Sequence, residues 1–220
     1  MTDAAFERMD SMYRYQRYFY DATRRFYLLG RDTLLDRMFV RPGDNVLEIG
    51  CGTGRNLRIL ASRHPQATLY GIDASSEMLL TASAKIEKDG VTNIRLETAL
   101  AESFDRSELF ALDERFDSAF FSYSISMIPP WRHALEHAAE QIKPGGSLYI
   151  VDFYDQERLP RWFQTMIKGW LRHFHVQFWS DLLPFLDEFA KSKGAALTIE
   201  PLYRRYSFFA ELRFPQSEQS

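Results

Sequence analysis

The chain has 220 residues, a formal net charge of −3 and an apolar fraction of 45%, enough for one globular domain with appendages. Such a charge sets up no global field for nucleic acid, and the one cysteine, Cys51, excludes an internal disulfide and points to a reducing compartment. Residues 1–10 carry charges where a signal peptide needs an apolar stretch, and no apolar run approaches the ~20 residues that span a bilayer.

In chain order, residues 1–36 read as a helical arm ahead of a main domain at 37–220. Arg17, Arg24 and Arg31 recur at a spacing of seven, with Arg14 and Asp21 on the same face and aromatic residues over much of the rest. Three readings fit: a helix that closes over a ligand site and offers guanidinium groups to an anion, a basic interfacial helix, or an amphipathic helix packed on a sheet. Strands are expected near 45–50, 67–72, 92–97, 117–122 and 147–152, with helices near 54–63, 76–88, 101–111 and 131–142. That alternation implies a mostly parallel sheet with helices on both faces. Pro130 suits the first turn of the last of these helices, and Lys143-Pro-Gly-Gly146 reads as a turn into the fifth strand.

Residues 153–192 form an insertion between strands five and six. Trp162, Met166, Trp170 and Phe174 recur every four residues as one helical stripe, widened by Phe163, Ile167 and Leu171, with Arg161, Lys168 and Arg172 off it. The stripe suits an interfacial helix, a cap over an acyl or aromatic substrate, or an ordinary core helix. Two closing strands are expected at 196–200 and 205–212.

The chemistry concentrates in Asn45-Val-Leu-Glu-Ile-Gly-Cys-Gly-Thr-Gly-Arg-Asn56. A buried strand stops in a glycine turn and opens a helix whose first N–H groups face a ligand. Asp73 ends the next apolar segment, so glycine turn, helix, strand and acid are laid out to hold a nucleoside by its ribose. The glycines are spaced G-x-G-x-G, one residue short of the dinucleotide fingerprint. With Glu48 beside the turn, a zwitterion suits the site better than a pyrophosphate. The pattern resembles motif I of the class I S-adenosylmethionine (SAM) methyltransferases. That resemblance implies a Rossmann-like α/β fold with a seven-stranded, mostly parallel sheet, SAM as cofactor and S-adenosylhomocysteine as product. Cys51 reads as a small filler in the turn. Ligands of an open α/β sheet bind at the carboxyl ends of the strands, which directs attention to 48–54, 73–74, 98–102, 122–127 and 152–154.

Two other patterns carry less. His133-Ala-Leu-Glu-His137 matches a zinc-protease spacing, yet it falls on a crossover helix away from the strand ends, and no metal is expected. Met127-Ile-Pro-Pro-Trp131 reads as a helix start.

The arm, Met9 to Asp32, together with Glu48-x-x-Cys-Gly-Thr-Gly-Arg-Asn56 and the closing Pro201-Leu-Tyr-Arg-Arg205, resembles the bacterial N-methyltransferases of betaine-lipid synthesis. The resemblance implies conversion of diacylglyceryl-homoserine to diacylglyceryl-trimethylhomoserine with three SAM, by an enzyme held peripherally on the cytoplasmic face of the membrane. The cofactor set expected on this reading is Tyr20, Arg31, Glu48, Gly50, Cys51, Gly52, Thr53, Gly54, Asn56, Asp73, Ala74, Met78, Leu100, Ala101, Ser122 and Tyr123. Tyr20, Tyr123 and Tyr154 are candidates for lining the methyl-transfer site, and Asp152 for accepting the amine proton. Arg17 or Arg24 is expected on the homoserine carboxylate, with Tyr13, Met127 and His173 also on the substrate. Rival acceptors are phosphatidylethanolamine and a quinone or other small molecule. A SAM- or membrane-binding protein without catalysis is the rival of a different class.

Overall fold

The computed structural model describes residues 28–173 and 177–216; the side chains of residues 163, 168 and 170–173 fall outside that description. The arm's Tyr13, Arg17, Tyr20 and Arg24 lie outside it, as does the side chain of His173.

In chain order the elements are α1 (Arg31–Arg37), β1 (Asn45–Ile49), α2 (Arg55–Arg63), β2 (Thr68–Asp73), α3 (Ser76–Lys88), β3 (Ile94–Thr98), α4 (Arg106–Phe110), β4 (Phe116–Ser122), α5 (Trp131–Glu140), β5 (Ile142–Phe153), α6 (Arg161–His173), α7 (Leu182–Ser192), β6 (Ala196–Leu202) and β7 (Ser207–Arg213). The strands form one sheet in the order β3-β2-β1-β4-β5-β7-β6. β1 to β5 run parallel, while β7 lies antiparallel between β5 and β6. The order reverses between β1 and β4, which is where an open α/β sheet makes its ligand crevice.

Period-two alternation divides the core into two layers. Val46, Phe120, Tyr149, Val151 and Phe209 face Leu34, Leu35, Leu57, Leu60 and Leu79 of α1 to α3. Leu47, Ile49, Phe121, Leu148, Ile150, Phe208 and Leu212 face Phe110, Trp131, Leu135, Leu186 and Phe189 of α4, α5 and α7. The second half of the 153–192 segment is therefore part of the core: α7 buries Leu182, Leu186, Phe189 and Ala190.

Three boundaries differ from the sequence expectations, each for a local reason. The helix expected over 101–111 begins only at Arg106, because Asp105 accepts from Ser107 N at 2.7 Å and Glu108 N at 3.3 Å and so caps it there. Residues 99–104 stay irregular. β5 starts at Ile142 instead of 147: Phe116 pairs Ile142 and Ser118 pairs Ser147, so Lys143-Pro-Gly-Gly146 is a bulge within the strand and not a turn before it. Pro144 falls in the unpaired stretch, where its missing N–H costs no ladder bond. The last strand begins at Ser207, not at 205, because Tyr203, Arg204 and Arg205 all adopt left-handed φ, of 49°, 59° and 65°. For non-glycine residues that conformation costs roughly 1–2 kcal/mol each, so the turn is a strained element.

Candidate active site

One cavity of about 990 Å³ opens at the carboxyl ends of the parallel strands. It lies at the top of the usual range for ligand pockets, about 300–1,000 Å³, which leaves room for two ligands side by side. Its walls come from the glycine turn (Glu48, Gly50, Cys51, Thr53, Asn56), the end of β2 (Asp73, Ala74), the irregular stretch 99–102, the end of β4 (Ser122, Tyr123), Met127 and Arg31. These are residues that the sequence marked. Gly52 and Gly54 shape the turn behind that wall.

The turn is held from three sides. Gly50 N and Cys51 N donate to Ile72 O at 2.8 and 3.0 Å. Asp73 accepts from Gly52 N at 2.7 Å through Oδ2 and from Ser75 N at 2.9 Å through Oδ1. The acid expected on the ribose therefore also fixes the glycine turn and the start of α3, a role the sequence reading missed. Gly50 has φ +75°, and a Cβ there would stand 2.5 Å from Ser124 Cβ; only glycine fits. Ser124 is itself pinned, its Oγ donating to Ile49 O at 2.7 Å. Beneath the turn, Asn56 Nδ2 donates to Glu48 Oε1 at 2.7 Å, so these two expected cofactor residues form one buried polar pair. Burial, aided by Asp73 and Glu48, pushes the Cys51 thiol well above its usual range. A thiol held neutral is no nucleophile, in keeping with a filler.

Tyr123 has φ +58° and closes β4. Its ring meets Phe153 edge-on at 4.7 Å, and its hydroxyl donates to Leu29 O, which also accepts from Ser207 Oγ at 3.0 Å. Burial holds the phenol well above its ordinary value, so it remains a neutral donor. Tyr123 thus ties the segment entering α1 to the sheet while presenting part of its surface to the cavity.

Several expected residues stand elsewhere. Asp152, the expected proton acceptor, does not line the cavity. It is 1% exposed, and its oxygens accept from Ser126 N at 3.0 Å and Phe153 N at 2.8 Å. A carboxylate so engaged holds the turn after β4 and cannot reach an amine, which corrects the sequence assignment. Tyr154 likewise lies off the wall, edge-on to Phe208 and under the Arg205 guanidinium at 4.4 Å. Met78 is buried in α3. Ser124, within the marked 122–127 stretch, also lines the cavity, and so do Leu28 to Gly30, Asp32, Ile128 to Pro130 and Tyr203, none of which was named as a site residue. The two prolines belong to Met127-Ile-Pro-Pro-Trp131, read only as a helix start, and Tyr203 to the closing Pro201-Leu-Tyr-Arg-Arg205, which carried the family resemblance but no site role. Of the metalloprotease-like pair, His137 has a structural contact, its Nε2 bonding Phe104 O at 2.7 Å, while His133 is exposed.

A strand–glycine turn–helix with an acid ending the next strand, at the switch point of a seven-stranded sheet with one antiparallel strand inserted, defines the SAM-dependent methyltransferase fold. The family described as "Methyltransferase domain" matches residues 15–183, and the chain belongs to it. SAM is the cofactor of that class of enzyme. Among curated proteins, the chain is 32% identical over 110 residues to trans-aconitate 2-methyltransferase of Deinococcus radiodurans, covering 50% of this chain and 38% of that one. It is 30% identical over 118 residues to phosphatidylethanolamine N-methyltransferase of Cereibacter sphaeroides, covering 54% and 55%. The matches thus span about half or less of those relatives' lengths. Among solved structures, Haemonchus contortus phosphoethanolamine N-methyltransferase 2 with SAM superposes at a TM-score of 0.67 with 18% identity, over 84% of this chain and 52% of that one; at that identity it supports the fold alone.

Proposed function

We propose that this chain methylates the amine of a lipid headgroup, converting diacylglyceryl-homoserine to diacylglyceryl-trimethylhomoserine in three rounds. The observation that carries the reading is the placement of α6. This helix follows the carboxyl end of β5 in the chain, and it leaves Trp162 69% and Met166 53% exposed. Arg158 and Arg161 are exposed next to them. Large apolar side chains flanked by cations suit an anionic bilayer surface. Among the described residues no helix is long and apolar enough to cross a membrane, so the contact proposed is peripheral, on the cytoplasmic face. The relative named phosphatidylethanolamine N-methyltransferase supports a lipid amine as acceptor.

The cradle fits the cofactor. Gly50 admits no Cβ, the Glu48–Asn56 pair offers a carboxylate to an ammonium, and Asp73, lining the cavity at the end of β2, is the acid proposed for the ribose hydroxyls. Leu100, Ala101 and Ser122 complete the wall on that side. Bound SAM supplies a methyl group on a sulfonium. The chain's residues then have two tasks, orienting the acceptor nitrogen and keeping water out. The attacking nitrogen must be neutral, so the ammonium form has to lose its proton before transfer. Its proton leaves to solvent before attack, since Asp152 is inaccessible. Arg17 or Arg24 is proposed on the homoserine carboxylate, Tyr20 near the methionine group of SAM, and Tyr13, Met127 and His173 on the acceptor.

The test is mass spectrometry of lipids after incubating the protein with SAM and vesicles containing diacylglyceryl-homoserine or phosphatidylethanolamine. Steps of one, two and three methyl groups on the homoserine lipid are expected. Steps on phosphatidylethanolamine alone move the assignment to that lipid, and no step on either removes the lipid reading.

A further inference from the structure

We propose that Tyr203 is a specificity-determining residue for the acceptor, offering its ring face to the nitrogen of the headgroup. The inference rests on the lipid-amine reading above. Tyr203 opens the β6–β7 turn, on the far side of the sheet from the glycine turn. β4 and β5 separate β1 from β7, so the two walls are three strand spacings, about 14 Å, apart. Tyr203 nevertheless lines the same cavity as Glu48 and Asp73. Most of the expected cofactor residues gather on β1, β2, the 99–102 stretch and the end of β4, with Arg31 alone near Tyr203, so this wall is assigned to the acceptor.

Only two aromatic rings line the cavity among the described residues, Tyr123 and Tyr203. The first is committed, packed on Phe153 with its hydroxyl on Leu29 O. The second is half exposed, at 50%, its hydroxyl is 3.4 Å from Thr33 Oγ1, and no ring contact among the described residues engages it, so its ring is the one proposed for the headgroup. The backbone is set for this placement. A run of left-handed non-glycine residues persists only where its surroundings fix it. Here Tyr206 N donates to Leu202 O at 3.1 Å, Gln156 N to Arg205 O at 2.9 Å and Tyr154 N to Tyr206 O at 3.0 Å, and Arg205 Nε donates to Asp155 Oδ1 at 2.8 Å. The segment after β5 thus clamps the turn in the conformation that brings Tyr203 to the wall.

A ring face suits a nitrogen that changes during the reaction. Each methyl removes an N–H that a hydrogen bond needs, and the trimethylated product has none. Cation–π attraction needs no N–H and accepts methylated ammonium readily. Tyr203 therefore matters most for the later rounds, when a dimethylated headgroup must rebind.

The experiment compares wild type, Tyr203→Phe and Tyr203→Leu on vesicles of phosphatidylglycerol containing diacylglyceryl-homoserine, with SAM. It reads acceptor KM, kcat, SAM Kd by calorimetry, Tm and the distribution of methylated products. For Tyr203→Leu, acceptor KM is expected to rise about tenfold and mono- and dimethylated lipid to accumulate, with SAM Kd and Tm unchanged. Tyr203→Phe should keep KM and full trimethylation. Unchanged KM and products in Tyr203→Leu overturn the proposal. A matching loss of SAM affinity or Tm also overturns it, by showing a structural or cofactor role. Wild type acting on phosphatidylethanolamine alone overturns the homoserine assignment only, and the same variants are then read on that lipid. Wild type acting on neither overturns both.

Discussion

At the residue scale, the site depends on positions where a single atom decides the outcome. Gly50 is the sharpest. Its positive φ and the 2.5 Å approach to Ser124 mean that Gly50→Ala must move either the turn or the start of the loop after β4. Strain of this kind costs about 1–3 kcal/mol, and the turn's N–H groups leave their aim. Gly50→Ala is expected to weaken SAM binding by about five- to 150-fold, read by calorimetry, on a chain that still folds. Cys51 offers a second test. Its buried, neutral thiol should resist iodoacetamide at pH 8 in the native state and react readily in denaturant; fast native labelling would contradict the burial. Glu48, the glycines and Asp73 were legible in the sequence because the turn is local and its chemistry needs fixed spacing. The bond from Gly52 N to Asp73 was not, since it joins two loops that meet only when β1 and β2 pair. Asp152 misled for a related reason. A carboxylate at a strand's carboxyl end reads as a ligand-facing group, but the period of two turned this one into the α5 and α7 layer, where backbone N–H groups occupy it.

At the element scale, strands and crossover helices were readable because their apolar periods of two and 3.6 are local properties. Elements whose shape is imposed from outside were not. Pro144-Gly-Gly in β5 carries every mark of a turn, yet pairing on both flanks draws it into a bulge, where Gly146 passes so close to Asp117 O that a Cβ would stand 2.5 Å away. The β6–β7 turn carries no glycine at all, so its left-handed run has no sequence signature. Helix α6 allows a test of an element without touching the site. Exposed substitutions usually change stability by less than about 0.5 kcal/mol. The double variant Trp162→Ala/Met166→Ala should therefore keep its Tm while losing about tenfold or more in sedimentation with anionic vesicles. Unchanged sedimentation would remove α6 from the membrane contact.

At the scale of the whole molecule, pH stability carries the mark of Asp152. Burial raises its carboxyl from 3.8 to about 6 in the folded protein. Below about pH 4 both folded and unfolded chains hold this proton. As pH rises through the window from 3.8 to about 6, the unfolded chain releases it first, so this group's contribution to stability falls, and above about 6 it is level. Asp152→Asn removes that slope. The Tm of the variant minus that of wild type should therefore increase between pH 4 and 6.5 and stay constant from 7 to 8. A flat difference across the acid range would show that Asp152 titrates normally. Ser126 N and Phe153 N, which face the carboxylate, resist its protonation but do not outweigh its burial.

The sheet order also bears on how the chain reaches its native state. β7 is the last strand made, yet it sits between β5 and β6. Until Ser207–Arg213 arrive, β5 presents a bare edge of Leu148, Ile150 and Val151, and β6 has no neighbour. Completing the sheet is therefore an insertion, one that must bring strands together across more than fifty residues of sequence. A chain caught before that step exposes an open apolar strand, the kind of surface that chaperones hold and aggregates recruit.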